Sequence, residues 1–193
     1  ITVPTWRGDV SHKTDIAEEV ARFYGYDKIP STLIRGSSSG KRSHSQLFEK
    51  KASETLLALG FNEVVTNSFA SPKFHDKILL PADSPRRKAV EILNSLGEDT
   101  SLMRTSAMPG MLDVVARNIA ARTLGARFFE IATEYLPGNE GELPDEQKRI
   151  TLAIYGPDAD YFALKGAVED LVRALNIPPC AYLPLSADPA YHP

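Results

Sequence analysis

The chain has 193 residues, 42% of them apolar and 24% charged, with a formal net charge of −3. That length buries roughly 70% of the surface an unfolded chain exposes, enough for one domain plus a small appendage. The slight negative charge argues against nucleic-acid binding through bulk positive field; the single cysteine, Cys180, excludes an intramolecular disulfide and a thiolate metal cluster; no apolar run is long enough to cross a bilayer. With no signal-peptide pattern at the N-terminus, the expected location is a reducing cytoplasm. The ends, Ile1-Thr2-Val3-Pro4 and Tyr191-His192-Pro193, read as those of an excised fragment whose edge strands have partners elsewhere.

The first element is a short helix over about 15–24, because Ile16, Val20 and Phe23 recur at the spacing of one helical face. Asp15 is the expected N-cap, Glu18 the capping-box acid, and Gly25 the left-handed stop. Asp15, Glu18 and Glu19 fall on one side of this helix. A loop over 10–14 can fold Asp9 back beside the helix N-terminus. Two readings stay open on spacing alone. Crowded carboxylates suit a hard cation such as magnesium, which takes oxygen ligands. Alternatively the acids cap the helix and Glu18 pairs with Arg22 one turn on.

Residues 35–43, rich in Gly and Ser with Arg35, Lys41 and Arg42, read as a linker between a small module at 1–34 and a core at 44–193. The core opens with an amphipathic helix over 45–59, carrying Phe48, Ala52, Leu56 and Leu59, and Gly60 stops it. A β-branched strand is expected over 63–69, ending near Pro72. Residues 74–80 suit a short helix or a strand, 81–88 a loop, and 90–93 a short strand. Pro109 starts a helix whose buried stripe is expected to be Leu112, Val115 and Ile119. A strand over 127–136 puts Phe129, Ile131 and Thr133 on one face and Phe128, Glu130 and Ala132 on the other. Glu130 is placed to pair with Arg104, as a structural ion pair or as catalytic residues. An acidic loop over 137–149, a strand over 150–155, a helix with Tyr161, Leu164, Val168, Leu171 and Leu175, and a last strand over 180–185 complete the chain.

The run Arg7-Gly8-Asp9, Asp15, Glu18-Glu19-Val20-Ala21-Arg22 and Gly25-Tyr26-Asp27-Lys28-Ile29-Pro30 resembles the β subunits of bacterial phenylalanyl-tRNA synthetase. A second block is similar to the same family: Asn94, Leu102-Met103-Arg104-Thr105-Ser106, Met108-Pro109-Gly110-Met111-Leu112, Asn118 and Phe128-Phe129-Glu130-Ile131, followed by Lys165-Gly166. This chain departs from the pattern at Ser95, where the family has Pro, and at Ala132, where it has Gly. Both are local backbone changes. The helix and strand over 45–69 also look like the first motif of class II aminoacyl-tRNA synthetases, which lies at a subunit interface.

The resemblance implies an α+β fold, an antiparallel sheet flanked by helices in the class II manner. It implies that Asp9, Asp15, Glu18 and Glu19 bind a magnesium ion shared with the α subunit. It further implies a catalytic-like domain that is a structural partner of that subunit, which uses ATP to attach phenylalanine to tRNA(Phe) within an α2β2 heterotetramer, with the editing site upstream and the anticodon-contacting module downstream. No late Gly-rich motif with an arginine for the γ-phosphate occurs, no phosphate-binding glycine loop, and no metal-type spacing among His12, His44, His75 and His192. Two rival readings are a magnesium-dependent hydrolase using the four acids, and a nucleic-acid-binding adaptor. The first lacks a general base and a phosphate-gripping cluster in sequence; the second sits poorly with the negative charge.

Overall fold

The computed structural model describes residues 1–36, 40–139 and 141–183. It divides into two compact units, Ile1–Lys41 and Arg42–Pro193. Part of the expected linker, Ser37 to Ser39, lies outside the described residues, as do Pro184 and Leu185 of the expected last strand; the described residues 180–183 form no strand.

In the first unit, helix α1 spans Lys13–Tyr24 and is followed by a 3-10 turn, Tyr26–Lys28. It starts earlier than the apolar spacing indicates. Asp15 therefore sits in the first turn rather than at the cap, and its carboxylate reaches back to the amides of Ser11 (2.9 Å) and His12 (2.6 Å). Gly25 ends the helix at φ 103°, as expected, and its N–H donates to the Ala21 carbonyl. No residue of α1 is buried, and Val20 and Phe23 of the anticipated core stripe are exposed.

The second unit opens with α2, His44–Ala58. Ser43 caps it by accepting from the Gln46 amide, while the Gln46 side chain accepts from the Ser43 amide; each thereby satisfies a donor the first turn leaves orphaned. The 63–69 strand is instead two short ones. β1 (Asn62–Glu63) lies parallel to β4 (Ala126–Leu136), and β2 (Phe69–Ala70) pairs antiparallel with β3 (Leu102–Met103) in a separate sheet. The break falls at Thr66, whose amide turns to the Glu130 carboxylate at 3.0 Å instead of continuing a ladder. Residues 90–93 reduce to a single bridge between Glu91 and Leu102, and residues 74–80 fall largely within a 3-10 helix, Pro72–Ile78.

β4 and β5 (Asp145–Tyr155) form a long antiparallel hairpin in register from Ala126↔Tyr155 to Leu136↔Asp145. β5 thus starts well before the expected residue 150. Its first half, Asp145 to Arg149, is charged and reads as loop, yet pairing with β4 needs only backbone groups. The main sheet has the order β1-β4-β5 and is mixed rather than purely antiparallel.

Alternation along β4 sends Phe129 and Phe128 to opposite faces, as the sequence indicates. Phe129 packs with Ala52 and Leu56 of α2, Phe61, and Ala167 and Leu171 of α4 (Tyr161–Ala174). Phe128 packs with Met111 and Val114 of α3 (Met108–Ala120). Helices therefore cover both faces. The buried stripe of α3 is Met111, Val114 and half-buried Val115, while Leu112 and Ile119 of the expected stripe face outward at 44% and 54% exposure.

Candidate functional site: an acidic module and a buried ion-pair network

Two successive turns, closed by the Arg7 amide on the Pro4 carbonyl (3.0 Å) and the Val10 amide on the Arg7 carbonyl (3.2 Å), fold Asp9 back beside Arg7. Its Nε donates to Asp9 Oδ1 at 2.9 Å, and its Nη2 lies 2.7 Å from Asp9 Oδ2 and 2.7 Å from Glu19 Oε1. Arg22 Nη2 takes the other Glu19 oxygen at 2.5 Å, an i,i+3 pair that replaces the expected Glu18–Arg22 contact. Arg7 holds the Asp9 carboxyl below the ordinary range; Arg22 and then Arg7 do the same for Glu19. The Arg7 guanidinium is raised in turn, first by Asp9 and then by Glu19.

The structure thus brings Asp9 and Glu19 together, around an arginine. Asp15 is committed to backbone amides, and Glu18 is exposed with no hydrogen bond among the described residues. No group of three or more His, Cys, Asp or Glu side chains is placed to hold a metal ion among the described residues. As arranged, the four acids do not fit a magnesium ion. Sequence reasoning counted the acids and passed over Arg7, although the Arg-x-Asp spacing carried the signal.

In the second unit Arg104 and Glu130 are almost fully buried and pair at 2.9 Å. Thr66 closes the network: its hydroxyl donates to Glu130 Oε2 (2.8 Å) and accepts from Arg104 Nη1 (2.9 Å). Arg104 Nε donates to the Thr133 carbonyl at 2.9 Å. A Cβ on Gly110 would lie 2.8 Å from Thr66 Oγ1, so a glycine there lets α3 approach the network. Glu134, also buried, accepts from the Ala107 amide at 3.2 Å, with Arg86 and Arg149 each at 3.7 Å. These charges are spent on the fold itself, in favour of the structural reading of the Arg104–Glu130 pair.

Beside Thr66 opens a cleft of about 860 Å³, lined among others by Asn67, Lys77, Asp99, Asp113 and Arg117. Its two cations and two anions offset one another, and Lys77 is bound to Asp113 at 2.7 Å. On α2, Leu47, Phe48 and Leu57 are exposed at 52%, 41% and 51%, so three large apolar side chains lie outside the core although Leu56 is buried.

A second buried polar group escaped the sequence reading. His75 Nε2 is 2.9 Å from Thr105 Oγ1, and that hydroxyl donates to the Arg86 carbonyl at 2.6 Å. Thr105 has one proton to give, so His75 must carry its hydrogen on Nε2. Burial, then Arg87, holds the His75 pKa below its ordinary value of 6.5, against a smaller opposing effect of Asp76. A lowered folded pKa means the unfolded chain binds the proton first on acidification. The contribution is therefore complete above 6.5, the ordinary value taken for the unfolded chain, and lost as pH falls below it toward the folded pKa. Thermal unfolding midpoints should drop between pH 7 and pH 5 by less in His75→Gln than in the unaltered chain; equal slopes would mean another group controls the acid side.

Residues 29–193 match the family model of the phenylalanyl-tRNA synthetase beta chain CLM domain, and residues 1–26 that of the tRNA synthetase B5 domain. The chain belongs to the phenylalanyl-tRNA synthetase β-chain family. It is 46% identical, over 98% of its length, to the phenylalanine–tRNA ligase beta subunit of Clostridium acetobutylicum, and 42% identical over its whole length to that of Clostridium tetani. It spans about a quarter, 24%, of each of these relatives. A pyrrolysyl-tRNA synthetase of Desulfitobacterium hafniense superposes with a TM-score of 0.58 at 17% identity, over 86% of this chain and 55% of that one. The likeness is one of fold: this β-chain segment has the α+β architecture of a class II synthetase core. No helix among the described residues is long and apolar enough to cross a membrane.

Proposed function

We propose that this β-chain segment is a non-catalytic class II core that docks on the α subunit of phenylalanine–tRNA ligase and supports ATP-dependent charging of tRNA(Phe) by that subunit. The assembly is an α2β2 heterotetramer of the cytoplasm. The observation that carries this reading is the commitment of Arg104, Glu130 and Glu134 to internal bonds, which leaves the sheet's buried charges no role toward a ligand. The balanced cleft supports it too, since polyphosphate binding calls for an excess of positive charge. α2, with its uncovered Leu47, Phe48 and Leu57, is the docking face. The magnesium assignment to Asp9, Asp15, Glu18 and Glu19 rests on the family resemblance and belongs to the assembled enzyme, where these acids would have to be rearranged.

The test is capture of a purified α subunit together with phenylalanine-dependent pyrophosphate exchange. The chain alone should give no exchange above a blank, and should retain the α subunit. Leu57→Asp, on an exposed position, should lower capture about tenfold or more while leaving the fold intact, as expected for a central apolar interface contact. Exchange by the chain alone would sink the non-catalytic reading, and normal capture by Leu57→Asp would move the interface off α2.

A further inference from the structure

We infer that the outer edge of β1, together with the cleft beside it, takes up an extended segment of the β chain from outside residues 1–193. β1 is an outer strand of its sheet, and only its inner side is bonded. The Val64 amide donates to the Phe129 carbonyl at 2.8 Å, and the Thr66 amide to the Glu130 carboxylate at 3.0 Å. In a strand, successive backbone groups point to opposite sides. The N–H and C=O of Val65 and Asn67 therefore face away from β4, and they have no partner among the described residues. Burial alternates in step: Val64, Thr66 and Ser68 are half-buried, while Val65, Asn67 and Phe69 are exposed, Val65 at 89%. Natural proteins blunt open edges with Lys, Pro or a bulge, yet residues 64–70 hold no charge and no proline.

The cleft of about 860 Å³ has Val65 and Asn67 in its lining and α3 as a wall. Lys77 and Asp113 neutralise one another there at 2.7 Å, whereas Asp99 makes no ion pair among the described residues and the Arg117 guanidinium bonds only the Asp113 carbonyl of its own helix. One free anion and one free cation beside an unpaired edge suit an added strand that carries a Lys or Arg and an Asp or Glu, with main-chain bonds fixing its register. Main-chain bonds at Val65 and Asn67 alone are too few to repay the entropy of bringing in a free chain. A tethered segment avoids that cost through its effective concentration. The matched relatives supply the length for one: this chain spans 24% of the Clostridium acetobutylicum subunit, which leaves about three quarters of that protein outside it. None of this depends on α2 being the docking face for the α subunit.

The experiment is amide hydrogen exchange on this chain, the full-length β subunit and the assembled α–β enzyme, read at Val65 and Asn67, with the β4–β5 amides reporting an intact fold. Both amides should exchange freely in this chain and slow by about a hundredfold or more in the β subunit alone, at any protein concentration. Val65→Pro deletes an outward N–H at a position an edge strand tolerates, so in the full-length subunit it should spare the β4–β5 amides and speed Asn67 about tenfold. Slowing that appears only when the α subunit is added, or only at high concentration, gives the edge to a partner chain or to a second copy and overturns the inference. Free exchange in all three proteins, or slow exchange already in this chain, overturns it as well. Should the β subunit not stay folded without its partner, a photo-crosslinker on Val65→Cys in the assembled enzyme identifies the occupant. Attachment to a β-chain peptide outside residues 1–193 is expected; attachment to an α-subunit peptide, or to none, overturns the inference.

Discussion

Glu130→Leu should destabilise the Arg42–Pro193 unit by about 3–5 kcal/mol, the cost of leaving one member of a buried ion pair uncompensated. Arg104 would keep its charge at 5% exposure, and the Thr66 hydroxyl and amide would lose their acceptor in the same step. Against a total stability of about 5–15 kcal/mol for a domain, the loss is a large fraction of what keeps the unit folded. The double variant Arg104→Met with Glu130→Leu should recover most of the loss, because apolar replacements of both partners remove the orphaned charge. Urea titrations of the three proteins make the comparison. A double variant as unstable as Glu130→Leu would show that the pair contributes through something other than charge compensation.

Phe129→Ala should cost about 3–5 kcal/mol as well, by a different mechanism: lost burial plus a cavity that the surroundings cannot collapse to fill. Phe129 is 0% exposed, and from β4 it joins one buried cluster with Ala52 and Leu56 of α2 and Ala167 and Leu171 of α4. Phe129→Leu should lose less than half as much, since it refills most of the volume. A loss below about 1 kcal/mol in Phe129→Ala would mean that α2 and α4 close over the gap, and thus that the layer is looser than its burial indicates.

How much could be read from the residues varies with the range of the interactions involved. The two faces of β4 were legible because alternation is a property of the strand alone, and Gly60 marks the end of α2 by local chemistry; the Ser43–Gln46 capping box is equally local and went unread. The stripe of α3 was not, since Met111, Leu112, Val114, Val115 and Ile119 form one apolar arc about 160° wide, and periodicity has no means of choosing which edge of so broad an arc is buried. Phe128, on a strand reached only later in the chain, makes that choice. Likewise β1 is two residues long and parallel to a distant strand, and no local pattern announces such a pairing. In the acidic module the residue types were legible, but their arrangement turned on one arginine. The Arg104–Glu130 pair could be anticipated as a contact, yet Thr66, which joins it, sits in a stretch that reads as plain strand.

The junction of Thr66 with Glu130 also bears on the order in which the core assembles. Its partners are 64 residues apart in sequence, whereas β4 and β5 are joined by a short loop. Closing a segment of that length costs chain entropy before any contact repays it, while the hairpin can zip from its turn. The β4–β5 ribbon is thus the early template, and β1, with the threonine that follows it, docks on a strand already formed. An ion pair that becomes buried only at that late step holds the finished domain shut: it governs how slowly the protein comes apart far more than how fast it folds.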